Sequence, residues 1–206
     1  NKATINDGAL TGSMGLAYKP TSAWQLNGMM NTGFRVPNID DLGKLFESAP
    51  GVVVVPNPNL ESEYAWNFEL GIVHKNPGKY RFELVGFHSR LTNAMVRRPF
   101  TFSGQDSIPF DGILSSVEAL QNIGLVTVWG VQALGEYYLL PSLRIYAHAN
   151  WTEGKETDDT KNEQVALRSA PPFFGDAGIK WQHEKFQAEF FGFYNSAIFN
   201  ENLAPS

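Results

Sequence analysis

The chain has 206 residues, a formal net charge of −5 and no cysteine. Disulfides and thiolate metal sites are thereby excluded, and no basic face offers an electrostatic footprint for nucleic acid. Aromatic residues make up 13% and charged residues only 18%, below the roughly 25% charge of an ordinary soluble domain. The densest aliphatic run, Val52-Val53-Val54-Val55, is far too short to cross a bilayer as a helix.

Taken in chain order, the dominant signal is alternation with a period of two. Trp24, Leu26, Gly28 and Met30 oppose Gln25, Asn27 and Asn31. Tyr64, Trp66, Phe68, Leu70 and Ile72 oppose Ala65, Asn67, Glu69 and Gly71. From 80 to 91 the parity is ambiguous, because Val85 and Phe87 fall on the polar side, and a β-bulge is one explanation. Leu143, Ile145, Ala147, Ala149 and Trp151 oppose Arg144, Tyr146, His148 and Asn150. Ala177, Ile179 and Trp181 oppose Asp176, Gly178, Lys180 and Gln182, and Phe186, Ala188 and Phe190 oppose Gln187 and Glu189. Successive strand side chains point to opposite faces, so each segment has one apolar side and one wet side.

The connections alternate in length. Lys19-Pro20-Thr21-Ser22, Asn76-Pro77-Gly78-Lys79, Leu140-Pro141-Ser142 and His183-Glu184-Lys185 read as tight turns. Between them lie long polar stretches at about 36–62, 93–122 and 152–170. The pattern predicts about eight antiparallel strands as four hairpins. Short turns at one end and long loops at the other are the build of an outer-membrane barrel. Its cause is the bilayer: without water in the hydrocarbon, every backbone group must pair within a sheet that closes on itself. Tyr18, Trp24, Tyr80, Tyr137, Tyr138, Trp181 and Phe186 cluster near the tight turns, with Trp66 and Trp151 at the opposite strand ends. Two such aromatic bands suit the two membrane interfaces.

The first long loop carries Gly33-Phe34-Arg35-Val36-Pro37 and then Asp40-Asp41-Leu42. It continues with Asn57-Pro58-Asn59-Leu60, Glu63 and Glu69-Leu70-Gly71. In order, spacing and placement these boxes resemble the β-barrel of TonB-dependent receptors. Asn93-Ala94-Met95-Val96-Arg97-Arg98-Pro99-Phe100 and 167–175 resemble segments of the haem and iron-chelate receptors of the Bacteroidetes group. The resemblance implies an all-β, transmembrane fold, part of a 22-stranded barrel that encloses a plug. It places the protein in the outer membrane of a Gram-negative bacterium, in contact with lipid. It also implies uptake of a scarce nutrient, an iron chelate or haem, with TonB acting through the plug, and no enzymatic activity or resident cofactor. Residues 1–206 are expected to be a partial barrel without the plug and without the last strands, since 202–206 read as loop.

Arg35, Asn57, Asn59 and His148 are the candidate ligand-binding residues. Each has a structural reading beside the functional one. Arg35 ends a strand facing the lumen and Pro37 stops it. The Asn57 box reads as a turn that launches the next strand, and Glu63 and Glu69 read as lumen or rim carboxylates bonded to arginines. His148 shares parity with Arg144, Tyr146 and Asn150 and so faces the lumen. No histidine lies between Asn38 and Asn57, where haem receptors of this type commonly carry one, which weakens the haem reading. His74 and His183 sit beside tight turns. Glu153, Glu156, Asp158 and Asp159 lack the fixed spacing of a calcium loop and read as a solvated loop tip.

The rival classes are a cobalamin or oligosaccharide receptor of the same family, a passive porin-like channel, a barrel hydrolase and a soluble β module. The porin has no use for the two boxes. The hydrolase needs a serine and a histidine that meet, whereas His88 and Ser89 are adjacent and point apart.

Overall fold

The computed structural model describes residues 8–38, 42–158, 163–167 and 173–197. Twelve strands join in one sheet: β1 (Ser13–Tyr18), β2 (Trp24–Arg35), β3 (Phe46–Ala49), β4 (Val52–Val54), β5 (Glu63–Asn76), β6 (Tyr80–Pro99), β7 (Ser107–Phe110), β8 (Ile113–Leu140), β9 (Leu143–Asp158), β10 (Glu163–Ala166), β11 (Phe173–His183) and β12 (Phe186–Asn195). Eight of them form the main path in the order β1-β2-β5-β6-β8-β9-β11-β12, each antiparallel to its neighbours. These are the four expected hairpins. The path begins with β1 and ends with β12, so the sheet is not closed among the described residues.

Side chains on the main path segregate by face. Leu16, Leu26, Leu70, Phe82, Leu84, Ile145, Ile179 and Phe190 are all exposed, and the registers put them on one side of the sheet. Leaving so much apolar area bare is untenable in water and natural against lipid. The rings bound this face at regular intervals. Trp66 and His74, Tyr80 and His88, Trp129 and Tyr137, Phe173 and Trp181, and Phe186 and Tyr194 each stand eight positions apart on their strands. Eight residues span about 27 Å along a strand, or about 21 Å of height at a tilt of about 40°, close to the roughly 25 Å apolar band of such barrels. The lower band is built from interlocked rings: Trp24 stacks on His74 at 4.0 Å, and His74 meets Tyr80 at 5.3 Å. His74, beside the tight turn, thus belongs to this lower band of rings.

No bulge interrupts the segment 80–91. Tyr80 through Thr92 pair with Tyr137 through Leu125 in unbroken register. Val85 and Phe87 instead face the lumen, where glycines leave room. A Cβ at Gly71 would touch Val85 at 3.4 Å, and one at Gly130 would fall within 2.7 Å of the Phe87 ring. The inner wall is therefore not uniformly polar: apolar side chains there fill the hollows over glycine.

The strands also run further than the alternation suggests. β6 has 20 residues and β8 has 28, so most of the stretch 93–122 is paired strand rising above the membrane. Asn93, with φ of 55°, marks the one rung, opposite Gly124, where the β6–β8 pairing lapses. The run Val52-Val53-Val54 is β4, which joins β8 in parallel beside Ser116, Val117 and Glu118. Val53, Val55, Val117 and Ala119 are buried there beneath Phe100, Ile108 and Phe110. A second cluster joins Ala94, Ile123 and Val126. Apart from Val73, the buried apolar side chains among the described residues lie in this extracellular layer, where lipid no longer covers them.

Candidate functional site

The lumen face of β8, β9, β11 and β12 carries a connected set of polar side chains. Register sets it up: Glu136, Arg144, Tyr146, His148, Asp176, Lys180 and Glu189 all take the inward parity. Arg144 holds Glu136 at 2.7 Å and lies over the Tyr146 ring. The Tyr146 hydroxyl donates to Glu189 Oε1 at 2.9 Å, and Lys180 approaches the other oxygen of Glu189 at 4.0 Å. Gly178 makes this possible, since a Cβ there would stand 2.7 Å from the Tyr146 hydroxyl and 2.9 Å from Phe191. One rung higher, His148 Nδ1 meets both oxygens of Asp176 at 3.0 and 3.1 Å. These two residues border a groove of about 330 Å³, whose polar lining also includes Glu83, Gln132 and Asn150, with Phe174 on its rim. Hydrogen-bonding groups and one flat ring in a concavity are what orient a ligand in such a site. No group of three or more metal-ligating side chains is gathered among the described residues.

The other three sequence candidates stand at the extracellular end, away from this groove. Arg35 faces Glu63 directly across β2 and β5, and Arg35 Nη1 lies 3.0 Å from Glu63 Oε2. Glu63 Oε1 accepts a further bond from the Met95 backbone N–H at 2.6 Å. The two boxes of the first loop are thereby tied to β6. Pro37 is buried just beyond the end of β2, in keeping with its role as a stop. Asn57 is buried, its Nδ2 donating to the Leu120 carbonyl at 2.8 Å and its Oδ1 accepting from the Asn59 N–H at 3.1 Å. That closed turn launches β5 as expected, and it leaves Asn59 exposed. Glu69 faces the lumen opposite Met29, and no arginine pairs with it among the described residues. Asp40, Asp41 and 168–172 lie outside the described residues.

Sequence reasoning missed Asn122. Its Oδ1 accepts from the Glu61 N–H at 2.8 Å, and its Nδ2 donates to the carbonyls of Glu61 and Asn93. It thus locks the loop that contains the Asn57 box to β6 and β8. The only hint was its type, an amide able to satisfy backbone donors and acceptors together. The acidic run is also not a loop tip over the residues described. Glu153 and Glu156 are in β9, and Glu156 is buried with Arg98 3.5 Å away. Asp159 lies outside the described residues.

The model of the family described as "TonB dependent receptor-like, beta-barrel" matches residues 1–204. Among solved structures, the ferric enterobactin receptor of Pseudomonas aeruginosa is similar at a TM-score of 0.65 and 17% identity, over 87% of this chain and 27% of that one. The FrpB iron transporter of Neisseria meningitidis is similar at 0.62 and 14% identity, over 91% and 27%. The siderophore receptor PirA of Acinetobacter baumannii is similar at 0.65 and 15% identity, over 89% and 28%. A copper transporter, OprC, also shares the fold, at 0.64 and 14% identity over 88% and 25%. No match is found among curated proteins. The chain thus spans about a quarter of the length of these solved proteins. The greasy outer face, the polar lumen, the aromatic bands and the family match agree: the chain belongs to the TonB-dependent receptors and forms part of their β-barrel in the outer membrane of a Gram-negative bacterium.

Proposed function

We propose that this chain supplies part of the barrel wall of a receptor that imports a scarce nutrient, with an iron chelate as cargo. The observation that carries the reading is the connected set of polar side chains on the lumen face of β8, β9, β11 and β12, which opens into the groove around His148 and Asp176. A polar, partly aromatic inner wall can pass a solvated chelate, whereas the opposite face cannot. Similar solved proteins are described as receptors for ferric enterobactin and a siderophore and as an iron transporter, which favours iron chelates over cobalamin or a glycan. TonB would act through a plug that the whole receptor carries beside the barrel. Residues 1–206 would be barrel alone, and His148 would face the cargo path. Asn59 would meet ligand at the mouth, while Arg35 and Asn57 would shape that mouth through Glu63 and Leu120.

Haem is the second reading. It is disfavoured because no histidine lies between the two boxes; the Asp176 bond at Nδ1 of His148 does not weigh against it, since a metal-binding histidine ordinarily has its other nitrogen held in this way. A passive channel leaves the family match unexplained. Growth of a deletion strain on ferric siderophore, haem, cobalamin or a glycan as the limiting nutrient tests the proposal. Loss restricted to ferric siderophore is the expected result, and undiminished growth on all four overturns the uptake role.

A further inference from the structure

Cations are misplaced on the face that meets lipid unless something there compensates them. Arg90 is such a cation. In the ladder it stands between Trp66 of β5 and Thr127 of β8, and Thr127 stands beside Lys155 of β9. All four residues share the outward parity of Leu70, Leu84 and Ile145. Arg90 and Lys155 are both exposed. His88, one rung nearer the bilayer centre, is also exposed and lies between Phe68 and Trp129. No partner is found for Arg90 among the described residues, and Lys155 has only the half-buried Glu153, 3.6 Å away.

The height of this rung decides its chemistry. Arg90 lies ten positions above Tyr80 of the lower aromatic band, at the level of Trp66 in the upper band. At mid-bilayer an arginine costs about 2–4 kcal/mol, but near the interface the cost falls to about 0–1 kcal/mol, because the side chain can reach the headgroups. Adjacent strands are about 4.8 Å apart, so Arg90 and Lys155 rise from backbones roughly 10 Å apart and can converge over Thr127. A guanidinium presents a planar fork of donors that matches a phosphate, with the ammonium adding a point charge. The flanking rings would line the sugar and acyl region below.

We propose that the outward rung of Trp66, Arg90, Thr127 and Lys155, with His88 beneath it, binds the phosphate of a phosphorylated glycolipid in the outer leaflet. The short turns lie on the periplasmic side, so the rung faces the leaflet exposed to the medium. Charge complementarity selects this occupant: a neutral lipid would leave Arg90 unanswered. The site lies on the opposite face of the sheet from the groove, so it stands whatever the cargo is.

The test uses the full-length receptor, purified in detergent and titrated with diphosphoryl lipid A while bound copies are counted by native mass spectrometry. Two further arms use the same lipid stripped of its phosphates and inorganic phosphate as competitor. Wild-type receptor should retain diphosphoryl lipid A, R90Q/K155Q should bind it at least about tenfold more weakly, and R90K, which keeps the charge without the fork, should fall between the two. The phosphate-free lipid should bind wild type as weakly as diphosphoryl lipid A binds the double variant. Equal binding by wild type and double variant, or equal binding of the two lipids, overturns the proposal. So does displacement by inorganic phosphate at matching concentration, which would mark a free-anion site. Heat-dependent gel mobility checks that the double variant folds; if it does not, R90Q and the phosphate-free arm on wild type decide the question.

Discussion

Arg35 and Glu63 face one another across β2 and β5 and close an ion pair of 3.0 Å, while the same carboxylate accepts the Met95 N–H from β6. Glu63 thereby links three strands. Replacing Arg35 by alanine removes a half-exposed pair and should cost less than about 1 kcal/mol. Replacing Glu63 by alanine also strands a backbone donor and should cost about 1–3 kcal/mol. Urea unfolding of the receptor in lipid vesicles measures both, and equal losses would contradict the three-strand role.

Asn57→Ala removes the bond to the Leu120 carbonyl and the cap on the Asn59 N–H. These bonds lie in the extracellular layer, so the membrane ladder should be untouched. The expected outcome is faster protease cleavage within 52–62 on intact cells, with heat-dependent gel mobility unchanged. A loss of about 1–3 kcal/mol confined to that layer fits a buried amide.

His148 and Asp176 act as a pair in the groove. If the groove contacts the cargo, H148Q and D176N should each weaken binding of a ferric siderophore, by roughly tenfold for one lost charged contact. Removal of both should cost little more than either alone, because each orients the other. Binding curves on purified full-length receptor give the comparison, and additive losses would mean the two act separately.

A substitution on each face separates lipid from lumen. Leu84→Arg, midway between Tyr80 and His88 on the outer face, should destabilise by about 2–4 kcal/mol. Gln132→Arg on the inner face should change stability by less than about 1 kcal/mol, because Glu83 and Asp176 border the same groove. Vesicle unfolding in urea reads both values, and a reversed order would invert the assignment of faces.

The ladder was legible because lipid imposes the alternation. Wherever a strand has hydrocarbon on one side and water or polar protein on the other, parity reveals it, as for Leu143 to Trp151. The signal fails where that contrast fails. Val85 and Phe87 broke the parity because Gly71 and Gly130 leave hollows on the inner wall, a packing relation between strands that no single segment displays. Residues 93–122 read as loop because β6 and β8 continue beyond the membrane, where protein or water meets both faces and no period is enforced. Val52 to Val54 found their place through parallel pairing with β8, a partner more than sixty residues away. The two boxes disclosed the turn at Asn57, but the bonds from Asn122 that hold it are long-range and left no local trace. His148 was placed on the inner face by parity alone, while its partner Asp176 emerged only from the register of β9 with β11.

The most direct test uses the absence of cysteine, which allows single cysteines to be placed and spin-labelled at each position from 143 to 151 on β9 in the full-length receptor in vesicles. Collision with oxygen, which concentrates in lipid, and with a water-soluble nickel chelate is then measured at each site. Odd positions should be rich in oxygen contact and even positions poor in it, with a period of two through the whole span. Uniform values, or odd positions shielded from oxygen, would contradict a wall with lipid on one side and the transport lumen on the other.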